Sequence, residues 1–422
     1  MEQAARTSRC RFSGGGQAGF SHDFSRSAKR TMANLRAREV AMLKSFKYRL
    51  YPTCSQDRLL TQTVETCLHW YNACLAERKT AWEERHESVG KFAQLRRVKE
   101  HKATNPFAAH VHSHILQVVV ADVDQAFAAF FRRVKEGSTP GYPRFKGRNR
   151  FHSFGLKEYG NGFRLDGRRL KLSGIGRIAV RWHRPIGGTI KTLRVVRTAG
   201  RWYACFACEV EPAPQPATGR EVGLDVGLYH LLATSDGEVK DNPRWYRAEQ
   251  AQLRVLQRRV SRRTKGGSNR GKAVAALQRQ HERIVNRRHD FLNKLAHDLI
   301  MRYDRIALEN MATANIVRNR TLSKSILDAG WSYLRAHLTS KAEEAGRVVY
   351  AVEPAYTSKT CSRCGAMFES LTLADRWVDC ACGLSLDRDH NAALNILNRA
   401  GHARWGESTT VGLRLPQEAA AS

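Results

Sequence analysis

Three acidic residues, far apart along the chain, each close a strand-like apolar run. They are Asp225 in EVGLDVGL, Glu309 in DRIALENM and Asp389 in LDRDHNAALNIL. Segments so distant in sequence bring side chains to one point only where strand ends lie side by side. The fold must therefore contain a sheet assembled from separate parts of the chain. Side chains alternate along a strand, so Val222, Leu224 and Val226 take one face, and Gly223, Asp225 and Gly227 the other. The glycines read as room left beside the carboxylate for metal and a nucleic-acid backbone. Ile306 and Leu308 share the core face of the second run, with Ala307 and Glu309 opposite. Asp389 stands just before a last helix expected from near Asn391. Asp387, two residues earlier in an extended segment, faces the same way, so either can join the other two. One such acid alone is an ordinary turn or cap residue. Three converging carboxylates are what a pair of Mg²⁺ ions needs to hydrolyse a phosphodiester, one ion activating water and the other stabilising the leaving oxygen.

A cysteine cluster lies just ahead of Asp389. Cys361-x₂-Cys364 is followed, after fifteen intervening residues, by Cys380-x-Cys382. Two such knuckles place four thiolates on one tetrahedral Zn²⁺, at a spacing close to a zinc ribbon. The second knuckle is one residue short. Asp379 stands where the longer spacing would put a ligand, but sulfur is the better zinc donor, so Cys380 is taken. The site reads as structural. Cys205 and Cys208 also form a C-x₂-C, but inside an alternating strand, where residues three apart face opposite sides. His110, His112 and His114 fall on a predicted helix; only the first and third share a face, and no carboxylate joins them, so they read as a polar stripe. The remaining cysteines are scattered, which is no disulfide framework and points to a reducing, cytoplasmic compartment.

Charge indicates the partner class. The chain has 71 Lys and Arg against 39 Asp and Glu, a formal charge of +32, and such an excess repels itself unless a polyanion neutralises it. No apolar run is read as long enough to span a bilayer, and no secretory leader is recognised. Residues 254–272 hold Arg254, Arg258, Arg259, Arg262, Arg263, Lys265, Arg270 and Lys272 with no acid among them. Phosphate contact is the natural counterpart of such a run, and Arg283, Arg287 and Arg288 continue it. Pro143–Arg150 interleaves aromatic residues with Arg144, Lys146 and Arg148, a pattern suited to stacking bases or gripping a backbone. Tyr51 is counted with these contacts.

At 422 residues the chain has room for two to four domains. Residues 1–41 are rich in Arg, Ser and Gly and are expected to be disordered; Met42, directly before the first strand pattern, is an alternative start. A half-buried strand is predicted over 45–51, a long helix over 55–86, and a second helix over 108–135. Residues 136–160 read as a Gly/Pro-broken basic loop. Short strands with Gly turns over 162–212 predict a small barrel or sandwich, which the first strand joins across the helical insert. PAPQPATG at 212–219 marks a boundary. Beyond it come a hairpin, helices over about 243–262 and 272–302, the strand at 304–311, a helix over about 325–345 and a strand at 346–354. This alternation predicts a mixed α/β sheet.

KYRLYP, YPRFKGRNRFHSF, GLDVGL, HERIVNRRHDFLNKLAHDL, IALENM, SILDAGWSYL, PAYTSKTCSRCG and CGLSLDRDHNAALNI together resemble the TnpB family, transposon-encoded relatives of the compact type V CRISPR effectors. The resemblance runs from about Met42 to Ala400. It implies a multidomain α+β chain: a β-barrel wedge domain (42–54 and 139–216) with a helical recognition insert (55–138), then an RNase H-like (RuvC) α/β nuclease domain (217–358 and 385–400) interrupted by a zinc ribbon (359–384), with a disordered tail at 401–422. It implies a guide RNA from the transposon end and cleavage of double-stranded target DNA beside a short flanking motif, by a monomeric ribonucleoprotein in the prokaryotic cytoplasm. Carried onto this sequence, the catalytic Mg²⁺ ligands are Asp225, Glu309 and Asp389. The family pattern selects Asp389 over Asp387 because it directly precedes the xNAAxN helix. The Zn²⁺ ligands are Cys361, Cys364, Cys380 and Cys382. The 41-residue extension and the C-x-C knuckle depart from the family pattern. Two rival readings are a cleavage-dead RNA-guided repressor, which loss of an acid would mark, and an unguided nuclease or resolvase of the same fold.

Overall fold

The structure, a computed structural model, describes residues 41–372 and 374–402. The disorder expected over 1–41 and 401–422 therefore falls almost wholly outside the described residues; the last helix itself continues to His402. In β1 (Met42–Tyr51) the alternation of FKYRLY buries Phe46, Tyr48 and Leu50 and turns Lys47 outward. Pro52 ends the strand. Thr53 then caps α1 (Cys54–Arg85), accepting from Gln56 N while the Gln56 side chain accepts from Thr53 N. α2 (Lys91–Thr104) was not expected. It buries only Gln94 and Val98, and its anchor is polar: Gln94 accepts from Arg78 Nε at 2.9 Å and donates to the Cys74 carbonyl at 2.8 Å.

α3 (Ser113–Lys135) begins later than predicted. His112 is its N-cap and His110 ends a short turn of helix at Pro106–Ala109, so the three histidines do not share one helix. By length and composition alone α3 could cross a bilayer, contrary to the sequence reading. Its apolar residues have a nearer use. Ile115, Leu116, Val119, Val120 and Val123 are buried in the core, and Asp122 pairs with Arg194 at 2.9 Å.

Within the stretch read as a loop lie β2 (Ser153–Leu156) and β3 (Glu158–Tyr159). β4 (Gly162–Asp166), β5 (Arg169–Leu172), β6 (Gly176–Arg181), β7 (Thr189–Thr198) and β8 (Arg201–Val210) follow. The eight strands order as β2-β7-β8-β1-β6-β5-β4-β3. β1 pairs antiparallel with both β8 and β6, across the helical insert. The two edge strands β2 and β3 are separated by one residue, Lys157, so the sheet must roll until its edges nearly meet. Its interior is filled by Tyr48, Phe154, Phe163, Leu170, Ile178 and Phe206.

The second sheet is built from β9 (Glu221–Asp225), β10 (His230–Thr234), β11 (Val239–Asp241), β12 (Arg305–Glu309) and β13 (Val348–Val352), in the order β11-β10-β9-β12-β13. β9, β12 and β13 run parallel; β10 and β11 are antiparallel additions. Between them the chain makes α4 (Gln250–Ser261), α5 (Ser268–Arg302), α6 (Ser323–Ala329) and α7 (Trp331–Ala345). The single helix predicted over 325–345 is divided at Gly330, whose φ of 71° serves as the C-cap of α6. A small hairpin of β14 (Trp377–Asp379) and β15 (Ser385–Asp387) leads into α8 (Arg388–His402). Three layers result. α5 and α7 pack Leu292, Leu299, Leu334 and Leu338 on Val222, Leu224, Ile306 and Leu308. α8 lies on the opposite face, setting Ile396 and Ala400 against Ala307 and Val352.

Candidate active site and cysteine knuckle

β9 and β12 pair in parallel from Glu221 and Arg305 to Leu224 and Leu308. Asp225 and Glu309 stand one step further on in the same register, at adjacent strand ends. The third acid arrives on α8, which crosses β9 at Gly223. A Cβ there would lie 2.1 Å from the Ala393 carbonyl oxygen and 2.8 Å from Leu397 N. The room this glycine leaves is thus taken by a helix backbone, not by metal or nucleic acid. At Gly227 a Cβ would meet the His230 carbonyl at 2.9 Å, again a backbone contact. The close approach at Gly223 sets the first turn of α8, with Asp389, over the acidic strand ends.

The structure separates Asp387 from Asp389. Asp387 Oδ1 accepts from Asp389 N at 2.9 Å and His390 N at 3.1 Å, which makes it the capping residue of the helix. The helix starts at Arg388, earlier than predicted, and Asp389 sits within its first turn. One carboxylate is engaged in capping, and the charge of the other weighs more heavily on Asp225.

Burial, then the charges of Glu309 and Asp389, push the Asp225 carboxyl well above the ordinary carboxylate range. Burial and then Asp387 raise Asp389. Burial raises Glu309 too, opposed by a hydrogen bond from Thr357. Acids that resist ionising together are an electrostatic deficit that divalent cations relieve. The three are not drawn into a single tight cage: among the described residues, only the four cysteines form a group whose ligand atoms all lie within 4.8 Å of one another. A wider set suits two ions about 4 Å apart.

In the knuckle, Cys361 Sγ is 3.7 Å from Cys382 Sγ, and Cys364 Sγ is 3.5 Å from Cys380 Sγ. A tetrahedron with Zn–S of about 2.3 Å has edges of about 3.8 Å, so the four thiols fit zinc. Burial opposes ionisation of Cys361, yet N–H groups of Cys364 and Arg363 and the neighbouring thiols outweigh it and bring the thiol down to about 7. Asp379 is occupied elsewhere, accepting from Ser385 Oγ at 2.5 Å. The tight C-x-C therefore supplies both sulfurs. Cys205 and Cys208 point to opposite faces of β8, one half-buried and the other fully buried.

Residues that the sequence did not single out join the two centres. Thr357, 3 % exposed, donates its hydroxyl to Glu309 Oε1. Asn395 Nδ2 donates to the carbonyls of Thr357 (2.8 Å) and Thr360 (2.5 Å). Asn391 donates to the Thr360 carbonyl at 2.8 Å and accepts from Ser362 N at 2.9 Å. The i, i+4 asparagines of HNAALN, on a helix whose other face is apolar, were the available signal.

The predicted nucleic-acid contacts divide. Arg258, Arg259, Arg262 and Arg263 line an open hollow with Val255 at the end of α4, and Lys265 and Lys272 are exposed nearby. Arg270 instead closes the turn, donating to the Val260 and Arg263 carbonyls. Arg287 pairs with Glu249 at 2.7 Å, and the poorly exposed Arg288 pairs with Asp328 at 3.3 Å. Arg144 is exposed, and Arg148 reaches Glu65 at 3.5 Å. The Lys146 ammonium stands 4.3 Å from the centre of the Tyr71 ring, and Asn72 holds its backbone at both N and O. Tyr51 is exposed beneath the Arg49 guanidinium.

Three family models match the chain. Residues 205–320 match OrfB_IS605, described as a probable transposase, and residues 331–396 match the Cas12f1-like TNB domain. Residues 42–87 match a model named as a helix-turn-helix domain; here they form β1 and one unbroken helix. A Streptomyces pristinaespiralis protein, named as a candidate RNA-guided DNA endonuclease, is 36% identical over 362 residues, 84% of this chain and 88% of that protein. The chain belongs to the OrfB/TnpB family. A second relative, InsQ of Escherichia coli strain K12, carries the same kind of name and is 30% identical over 403 residues, 89% of this OrfB/TnpB chain and 97% of its own length. The fold is shared with the protein in a cryo-EM structure of a Cas12f1–sgRNA–target DNA complex, at a TM-score of 0.54, 12% identity, and coverage of 85% of this chain and 99% of that one.

Proposed function

We propose that this OrfB/TnpB protein is an RNA-guided DNA endonuclease of an insertion-sequence transposon, cutting double-stranded DNA beside a short flanking motif. The observation that carries the reading is the convergence of Asp225, Glu309 and Asp389 at adjacent strand ends and a helix start, in a chain whose relatives bear that name. All three acids are present, which weighs against the cleavage-dead repressor.

On this reading the rolled sheet (42–54 and 139–216) is the wedge, 55–138 the recognition insert, 217–358 with 385–400 the RuvC-type nuclease domain, and 359–384 a zinc ribbon. Asp225, Glu309 and Asp389 are the residues to hold Mg²⁺, which when bound supplies an activated water and charge stabilisation at the leaving oxygen. Cys361, Cys364, Cys380 and Cys382 hold Zn²⁺ as a structural element. Asp387 caps α8 and so fixes where Asp389 points. The Arg258–Arg263 hollow, with Lys265 and Lys272, grips phosphates without reading sequence, a task left to base pairing with the guide. The working form is a monomeric ribonucleoprotein in the prokaryotic cytoplasm, beside the nucleoid.

The test is to co-express the protein with the DNA flanking its gene, purify it, and sequence the RNA retained. One dominant species with a constant scaffold and a 3′ segment running past the element boundary supports guided recognition. A smear of unrelated cellular RNA makes charge-driven binding, and an unguided nuclease, the better reading.

A further inference from the structure

Between β13 and the first knuckle cysteine runs a short segment, Glu353–Thr360, that touches both Glu309 and the helix carrying Asp389. Tyr356 within it adopts a left-handed φ of 62°, uncommon for a bulky residue. That turn directs Thr357 inward while the Tyr356 ring stays 61 % exposed. The Thr357 hydroxyl lies within reach of two acceptors, Glu309 Oε1 and the Pro354 carbonyl at 3.3 Å. A hydroxyl has one proton to give. The carboxylate makes the shorter, charge-assisted contact and takes it. The segment is in turn fastened to the Asp389 helix. Asn395 and Asn391 hold the Thr357 and Thr360 carbonyls, Asn398 donates to the Ser362 carbonyl at 3.2 Å, and Arg399 donates to the Glu353 carbonyl at 2.8 Å. Ser362 lies between Cys361 and Cys364. One face of α8 therefore grips the root of the knuckle, and the knuckle root grips Glu309.

We propose that Thr357 is a positioning residue of the nuclease centre, fixing the Glu309 carboxylate for a divalent ion and tying it through Asn391 and Asn395 to the helix that carries Asp389. The knuckle is then more than a staple: it sets the distance between an acid on β12 and an acid on α8. Carboxylate ligands are commonly oriented by such a second partner, whose loss costs about 10–100-fold in metal affinity or activity. This inference rests on the assignment of Glu309 as a metal ligand made above.

The experiment compares wild type, Thr357→Val and Thr357→Ser as full-length guide-RNA complexes. Thr357→Val keeps the shape and removes the hydroxyl; Thr357→Ser keeps it. Three quantities are read: Mn²⁺ binding by electron paramagnetic resonance on zinc-loaded protein, zinc content, and single-turnover cleavage at saturating target over a range of Mg²⁺. Expected for Thr357→Val are Mn²⁺ binding weakened by about tenfold or more, a matching rise in the Mg²⁺ needed for half-maximal cleavage, and unchanged zinc content and target affinity. Thr357→Ser should recover most of the loss. Wild-type Mn²⁺ binding in Thr357→Val overturns the proposal. So does loss of zinc and target binding in parallel with cleavage, without recovery by Thr357→Ser, since the hydroxyl then only holds the fold. The two readings fail separately: if wild type cuts no guided target but Thr357→Val still weakens Mn²⁺ binding, guided cleavage falls and the positioning role stands.

Discussion

Asp225 is under two opposed demands. The proposed chemistry needs its carboxylate charged beside Glu309 and Asp389; folding favours the neutral form. Its folded pKa is raised, first by burial and then by those two neighbours. A raised carboxyl contributes stability that is present below the ordinary carboxylate range and is lost as pH climbs through the folded value. At neutral pH without divalent ions, the buried carboxyl therefore costs the fold stability. Asp225→Asn keeps the shape and removes the charge. It should abolish cleavage and leave guide-RNA binding intact. In metal-free buffer at pH 7–8 it should also raise Tm by at least about 1 °C, the scale of 1 kcal/mol in a chain of this size. The gain should shrink as pH falls below the raised folded value and vanish towards pH 4, where the folded carboxyl is already protonated and the unfolded one becomes so. Thermal scans across that range are the check, and an unchanged or lower Tm at neutral pH would show that the site carries no such cost. Asp225 and Glu309 were legible in the sequence because each closes an apolar run whose alternation gives its face. The choice between Asp387 and Asp389 was not legible from the residues alone, because it depends on where the helix begins; Asp387 Oδ1 capping Asp389 N and His390 N is what favours Asp389. Thr357 was invisible: it is 48 positions from Glu309, and nothing local marks one threonine among many.

The element that assembles the site is α8, and Gly223 is what lets it in. An alanine there meets the Ala393 carbonyl oxygen at 2.1 Å and Leu397 N at 2.8 Å, both backbone atoms that cannot swing aside. The helix must lift, and Asp389 lifts with it. Misplacing a catalytic group by about 1 Å costs about 100-fold, so Gly223→Ala should cut at least that much more slowly, and overpacking should cost about 1–3 kcal/mol of stability. Gly271 is the control. It lies in the first turns of α5, where an added methyl group would find nothing within 4 Å, so Gly271→Ala should stabilise by up to about 1 kcal/mol and leave the chemistry of the acids alone. Paired Tm and single-turnover measurements check both; equal rates in the two variants would mean that α8 does not set the Asp389 position. The same scale shows which elements a sequence declares. Strands with clear alternation, such as β1 and β8, announced themselves, and β1 was correctly read as rejoining the sheet across the insert. α2 did not, because a helix that buries only Gln94 and Val98 has no apolar stripe to read. β2 did not either: four residues, SFGL, sit directly behind a Gly/Pro-rich basic stretch, and only pairing with β7 makes them a strand.

Across the whole molecule, 71 cations face 39 acids, and the structure shows which of them the fold already uses. Tyr203 reaches from β8 to Glu282 of α5, and Lys44 from β1 to Glu344 of α7, so ionic and polar contacts join the rolled sheet to the second half. Arg148, Arg287 and Arg288 have acids of their own. Arg258, Arg259, Arg262 and Arg263 instead surround an open hollow at the end of α4, in a run of sequence without an acid. Four guanidiniums held together repel one another, and a polyphosphate backbone is the partner that turns this cost into binding. Each phosphate neutralised releases counterion, and the salt dependence of binding counts those events. Replacing all four by Ala should weaken guide-RNA binding and flatten the plot of log affinity against log salt by roughly 3 to 4. Preference between matched and mismatched targets should not change, because sequence is read by base pairing rather than by this surface. Filter binding over a salt series, with matched and mismatched targets side by side, separates the two effects. A slope equal to wild type would place the nucleic acid elsewhere on the molecule. A flattened slope joined to lost discrimination would mean that these arginines touch base edges, and the division between phosphate grip and paired readout would have to be redrawn.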